Sequence, residues 1–154
     1  KQVYRPFGFL EFQPLIPKKC GGEAVREVFE IAHRFGCQSL LCGVKAHRAD
    51  DYMLSYSGDS YSMGIDVQVR GRDMERVGKF AKTLFQFIEH CGGKIFLAKD
   101  EMLSRDLFQK MYPRYGEFLE VKRQLDPDEL FVSDMYRRLM QAENDSSQTF
   151  AKVS

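Results

Sequence analysis

With 154 residues, 44% of them hydrophobic, the chain can bury the core of one domain, or of one domain with a helical extension, and disorder throughout is not expected. Its 23 basic and 22 acidic residues leave a net charge of +1, so no global field directs it to nucleic acid or to an anionic membrane. Any function must therefore reside in a local site. Cys20, Cys37, Cys42 and Cys91 form no C-x-x-C pair, and the histidines do not cluster at zinc-ligand spacing, which argues against a metal and against a dense disulfide scaffold. Reduced thiols in a cytoplasmic protein are the expectation. No apolar run of about 18 residues and no charged-then-apolar leader occurs. The start at Lys1, inside "KQVYRPFGFLEFQPLIP", is that expected of a piece of a longer polypeptide.

From Gly8 to Ile16, Leu10 and Phe12 alternate with Glu11 and Gln13, the pattern of a strand with one buried face; Pro14 and Pro17 give it an irregular end. Val25, Val28, Phe29, Ala32 and Phe35 recur at helical spacing from Ala24 to Phe35, and Gly36 follows in the position that ends helices. "QSLLCGVKA" reads as a second strand, in which Leu40, Cys42 and Val44 alternate with Leu41, Gly43 and Lys45, and "HRADDYMLSYSGDS" as a long polar loop. In "YSMGIDVQVRG", Met63, Ile65, Val67 and Val69 face one way and Ser62, Gly64, Asp66 and Gln68 the other, the cleanest period-two pattern in the chain. A second helical stripe runs from Asp73 to Cys91 through Val77, Phe80, Ala81, Leu84, Phe85 and Ile88, and "GGKIFLAKD" supplies a fourth strand.

The order strand, helix, strand, strand, helix, strand predicts an α+β fold of the ferredoxin-like (split βαβ) kind: an antiparallel sheet with two helices on one face, followed by a helical C-terminal extension. If the apolar side of each strand faces the helices, the opposite face displays Glu11, Gln13, Leu41, Gly43, Lys45, Ser62, Gly64, Asp66 and Gln68. Lys99 lies at the exit of the neighbouring strand. Beyond it, Ser104 can cap a short helix that ends before Pro113, and Phe118, Val121, Lys122 and Leu125 give another stopped by Pro127. Both are too short to stand alone and must pack on something larger.

Lys45 and Lys99 are the sharpest candidates for a site, since each ends an apolar or small-residue strand on the face away from the helices. A single strand-end lysine is most often merely exposed, with its stem lying on apolar surface. Two on one face with Gln13 between them are harder to dismiss. His33 and His90 read as helix-surface or cap residues and His47 as a residue of the solvated loop. "CGGEA" lacks both phosphate-loop spacings and reads as a turn, and without a basic stripe the 13% aromatic content reads as packing rather than base stacking. No nucleophilic Ser/His/Asp or Cys/His set is apparent.

Taken in order, "GGKIFLAKD", "MYPRYGEFLEVKRQLDP" and "LFVSDMYRRL" resemble the C-terminal end of FAD-linked oxidases of the vanillyl-alcohol-oxidase superfamily, the branch of decaprenylphosphoryl-β-D-ribose oxidases being the nearest likeness. "FLEFQPLIP", "SLLCGVK" and "LSYSGDSYSMGIDV" fit the same family, so the resemblance runs from Gly8 to Leu139. It implies a partial substrate or cap domain over residues 1–93, a segment 94–143 that packs on a missing FAD-binding domain, and a polar tail over 144–154. That missing N-terminal domain of the same polypeptide would be the chain's partner and would hold most of the FAD; no metal and no nucleic acid are implied. The activity implied is oxidation of an alcohol group of a sugar, polyol or glycosyl-lipid by hydride transfer to flavin. Within it Lys99 would be catalytic and contact the cofactor, Phe96 would contact the cofactor, and Gln13, Lys45, Ser62 and Gly64 would bind substrate. Ser62 and Gly64 replace the bulkier asparagine and cysteine of the lipid-linked ribose oxidases, which implies a differently shaped pocket. The implied location is cytoplasmic, with membrane association through a lipid-linked substrate.

The rival reading is a stand-alone ferredoxin-like module that uses the same sheet face for a ligand or protein without redox chemistry. Surface exposure separates the two: the oxidase fragment predicts that Phe96, Phe108, Met111, Tyr112 and Phe131 partly face a lost domain.

Overall fold

A computed structural model of the protein describes residues 8–69, 73–99 and 101–141. Asp100 of "GGKIFLAKD" and the polar tail 144–154 lie outside the described residues. In chain order the elements are β1 (Gly8–Phe12), β2 (Pro14–Pro17), α1 (Gly21–Arg34), β3 (Val44–His47), β4 (Ser60–Met63), β5 (Ile65–Val69), α2 (Met74–His90), β6 (Lys94–Ile95), α3 (Arg105–Met111), α4 (Tyr115–Leu125) and α5 (Asp134–Leu139). Short 3-10 turns occupy Lys18–Cys20 and Leu97–Lys99.

The strands pair antiparallel in the order β3-β4-β2-β6, with β1 and β5 as a separate pair. The two ladders share one register: Phe12 faces Ile65 in the first and Leu15 faces Ser62 in the second, so the same offset carries across Gln13 and Gly64. β1–β2 and β4–β5 are thus two long strands, each interrupted at one residue. With β3 and β6 at the edges, the arrangement is the ferredoxin-like one expected from the alternation of apolar residues.

Phe12, Ile16, Met63, Ile65, Val67 and Ile95 from the sheet meet Val28 and Ile31 of α1 and Val77, Phe80, Leu84, Phe85 and Ile88 of α2, all at 3% exposure or less. Burying one such side chain fully contributes about 1.5–3 kcal/mol relative to leaving it in water. The Phe12 ring meets Phe80 edge-on at 5.1 Å. Phe29, assigned to the apolar stripe of α1, is 44% exposed; Ile31 takes its place in the core. Gly36 closes α1 with φ +60, a conformation that glycine adopts without strain. After α2 the turn passes so close to β2 that a Cβ on Gly93 would stand 2.3 Å from the Leu15 carbonyl oxygen, so only glycine fits there.

Three expectations need correction. The second strand does not include Gln38 to Gly43: Leu40 and Leu41 are about four-fifths exposed and only Val44–His47 joins the sheet. The segment instead runs beside β5 on isolated bonds, Ser39 Oγ accepting from Asp66 N at 3.1 Å and Gly43 O from Gly64 N at 3.2 Å, which form no ladder. The fourth strand is two residues long and then tightens into the turn that carries Lys99. Finally, Phe108, Met111 and Tyr112 do not face outward. They are buried against this chain's own core, where the Tyr112 hydroxyl donates to Ile95 O at 2.7 Å. The seven-residue α3, capped by Ser104, is held by packing on α2. Phe131 is exposed as expected, and with Val121, Leu125 and Leu130 it edges an apolar groove of about 680 Å³ between α4 and α5.

Candidate functional site

The face of the sheet away from α1 and α2 is polar, as side-chain parity predicts, and it contains a shallow depression of about 240 Å³. β1 contributes Glu11 and its neighbour Gln13, and β5 contributes Asp66, paired with Glu11 across the ladder. β3 and β4 contribute Lys45 and Ser62, also a facing pair. Gly43 and Gly64 complete it with Leu41. The depression therefore lies where both long strands are interrupted, and its glycines keep it open.

Lys99 joins it at the edge. The 3-10 turn, closed by Lys99 N donating to Phe96 O at 2.8 Å, brings Lys99 Nζ within 2.8 Å of Glu11 Oε2. Glu11 also lines a second hollow of about 630 Å³, bounded further by Phe9, Lys99, Asp134 and Arg138, so the ion pair stands on the ridge between the two. With side chains 36% and 26% exposed, the pair adds little to stability and fixes where the ammonium sits. Lys45 is exposed on the rim. Carboxylates of Glu11 and Asp66, ammoniums of Lys45 and Lys99, the Gln13 amide and the Ser62 hydroxyl offer both donors and acceptors within one small area, a set suited to a polyhydroxylated ligand.

Beside the depression, the loop 48–59 folds down as a strap over β2, β4 and β6. The Tyr56 hydroxyl donates to Gln13 O at 2.9 Å, and its ring lies 4.8 Å from Phe96 and 5.6 Å from His47. Burial holds the Tyr56 phenol protonated well above its usual 10.0. Lys94 donates from below to Ser55 O at 2.6 Å and Ser57 O at 3.3 Å, and burial pushes its ammonium down from 10.5. His47 Nε2 lies 2.7 Å from Ser62 Oγ. Ser62, 1% exposed, thus lines the depression with its hydroxyl held by His47 of β3.

Gln13, Lys45, Ser62 and Gly64 come together in one depression, with Lys99 at its edge through Glu11. Phe96 is set apart from them, beneath Tyr56. Sequence reasoning missed His47, which ends β3 rather than floating in the loop, and Tyr56. For His47 a signal existed: two residues after Lys45, it had to share that lysine's face. For Tyr56 there was none, since a tyrosine in a polar loop reads the same whether it turns in or out. Among the described residues no group of acidic, cysteine and histidine side chains is placed to hold a metal, and no helix is long and apolar enough to cross a membrane.

The chain is 30% identical over 139 residues to the decaprenylphosphoryl-beta-D-ribose oxidase of Mycolicibacterium smegmatis, a match that covers 90% of the chain and 29% of that protein. It is 24% identical to the L-gulono-1,4-lactone dehydrogenase of Mycobacterium tuberculosis, covering 88% of the chain and 32% of the relative. Against the L-gulonolactone oxidase of Scyliorhinus torazame the identity is 32% over 94 residues, 59% of the chain and 21% of that enzyme. The chain thus spans about three-tenths of the length of the first two relatives. The model of the family described as D-arabinono-1,4-lactone oxidase matches residues 3–139, which takes in both strand ladders, the strap and all five helices. From the first strand to the last helix, this chain belongs to the D-arabinono-1,4-lactone oxidase family.

Proposed function

We propose that the chain is the substrate-covering and C-terminal part of an FAD-dependent oxidoreductase that oxidises an alcohol group of a sugar, sugar lactone, polyol or glycosyl-lipid. One observation carries the reading: in a member of this family, Lys99 is held by Glu11 at the edge of a small depression whose polar side chains match a polyhydroxylated substrate. The relatives are named for a ribose derivative and for gulonolactone, both rich in hydroxyls.

FAD is the group that the family implies. The donor set fits it and its substrate, because Lys99, Lys45 and the Gln13 amide present N–H groups to oxygens that gain negative charge. Bound FAD would supply the acceptor for the hydride. The chain's own part is to bind, orient and stabilise. Gln13, Lys45 and Ser62 hold hydroxyls of the substrate in one orientation. Lys99, anchored by Glu11, offers its ammonium to the oxygen whose proton leaves, in a site that the rest of the polypeptide would shield from water. The apolar groove edged by Leu125, Leu130 and Phe131 favours a further domain of the same polypeptide over a self-contained module, whereas burial of Phe108, Met111 and Tyr112 goes against the exposure that the oxidase reading predicts for them and favours the module at those three positions.

The test is anaerobic titration of the full polypeptide that carries these residues, with gulono-1,4-lactone and with a polyol. Bleaching of the flavin absorbance is expected, and Lys99→Met should slow it by about a hundredfold or more while leaving flavin content unchanged. A polypeptide without flavin, or a Lys99→Met variant that bleaches at the parent rate, would sink the proposal.

A further inference from the structure

The start of α1 and the end of α2 meet at a pair of cysteines that the proposed chemistry does not use. Cys20 is the last residue before α1, and its thiol donates to the carbonyl oxygen of Cys91, the residue that caps α2, at 3.4 Å, across 71 residues of chain. The Cys20 and Cys91 thiols also act on one another directly. Both are half-buried. Each is followed by a glycine in the left-handed region, Gly21 at φ +66 and Gly92 at φ +71, and a Cβ on Gly21, Gly22 or Gly92 would meet nothing within 4 Å. The other two cysteines differ: Cys37 is 2% exposed and held by Phe35 O and Arg76, and Cys42 lies against Asp66.

We propose that Cys20 and Cys91 form a reversible disulfide, a redox modification site that ties the start of α1 to the end of α2. Hydrogen peroxide is the oxidant. One thiolate attacks the peroxide O–O bond, giving a sulfenic acid and, after protonation of the departing hydroxide, water. The second thiol attacks that sulfur; the S–S bond forms, the S–O bond breaks and a second water leaves, so that two electrons and two thiol protons pass to the peroxide. Burial, and then the neighbouring Cys20, push the Cys91 thiol up. The bridge closes a loop of 71 residues and holds the turn that feeds β6 and Lys99. Long loops are those whose closure constrains the unfolded chain most.

The experiment treats the folded protein with a small excess of hydrogen peroxide, alkylates remaining thiols and maps the unreduced digest by mass spectrometry. The expected result is a Cys20–Cys91 cross-link with the mass of two hydrogens lost, reversed by dithiothreitol, with Cys37 and Cys42 still alkylated. The oxidised form should melt roughly 5 °C higher. A variant with Cys37→Ser and Cys42→Ser should retain the link, and in Cys91→Ser a sulfenic-acid trap such as dimedone should label Cys20. Full alkylation of both Cys20 and Cys91 after peroxide, or a link to any other cysteine, would overturn the proposal. None of these readouts depends on flavin or on turnover.

Discussion

The open sheet face has two halves that put the same period-two alternation to opposite uses. Over β2, β4 and β6 the outward side chains are satisfied from within: Tyr56 donates to Gln13 O, Ser62 bonds His47, Lys94 reaches two strap carbonyls, and even Leu15, on this outward side, is 2% exposed. Over β1, β5 and the approach to β3, Glu11, Asp66, Lys45 and Gln13 surround an open depression. A polar face alone therefore says little about function. What marks the second half is that its charges line a small open depression, while those of the first are covered by the protein itself.

The largest effect should come from uncovering the first half. Tyr56→Ala removes the ring between His47 and Phe96 and one of the two donors to Gln13 O, leaving only Phe96 N at 3.1 Å, at an expected cost of about 2–3 kcal/mol in chemical denaturation. Tyr56→Phe keeps the ring and should cost about 1 kcal/mol at neutral pH. It also tests pH dependence. Because the Tyr56 phenol titrates above its unfolded value of 10.0, the neutral hydroxyl's contribution is whole below pH 10 and is lost as pH rises through the folded pKa. The parent should therefore lose stability faster than Tyr56→Phe above pH 10. Equal slopes for the two would mean that the phenol is not buried in solution.

How much of this could be read from the sequence follows the same division. The depression was legible because alternation in "SMGIDVQV" and "FLEFQ" fixes which side chains share a face, and neighbouring strands then bring Gln13, Lys45, Ser62 and Gly64 together. The strap was not, because nothing local distinguishes a loop that folds onto the sheet from one that stays in water. Apolarity misled twice. Leu40 and Leu41 look like strand residues, yet β5 meets that stretch through single hydrogen bonds instead of a ladder. Phe108, Met111 and Tyr112 announce that they must be buried, but a stripe does not say against what, and they chose α2 and β6 of their own chain. Ser133, three residues before Tyr136, is an N-cap signal for α5 that could have been found.

Within the open half, the next largest change is Glu11→Gln. It removes the charge that holds Lys99 at 2.8 Å, and for so exposed a pair the stability cost should not exceed about 1 kcal/mol. On the role proposed for Lys99, turnover should respond much more, since an ammonium released from the ridge would no longer meet the reacting oxygen. A fall in the rate of flavin bleaching with an unchanged melting curve is expected in the full polypeptide. If the melting curve moved and the rate did not, Glu11 and Lys99 would belong with the structural half of the face.

The smallest effect on stability, and the sharpest on the comparison, should come from Gly64→Ala. Gly64 sits at the interruption between β4 and β5 without a positive φ, and a Cβ there would meet Glu11 Oε1 at 3.5 Å, an ordinary van der Waals contact. Neither strain nor overlap opposes the methyl group, so folding stability should stay within about 0.5 kcal/mol of the parent. Yet the added carbon projects into the depression beside Gln13 and Ser62, where a bound hydroxyl would have to be displaced. The expected signature is a raised KM with an intact fold and flavin spectrum. A Gly64→Ala polypeptide with an unchanged KM would place the substrate elsewhere, with the larger hollow on the far side of Glu11 as the next place to probe.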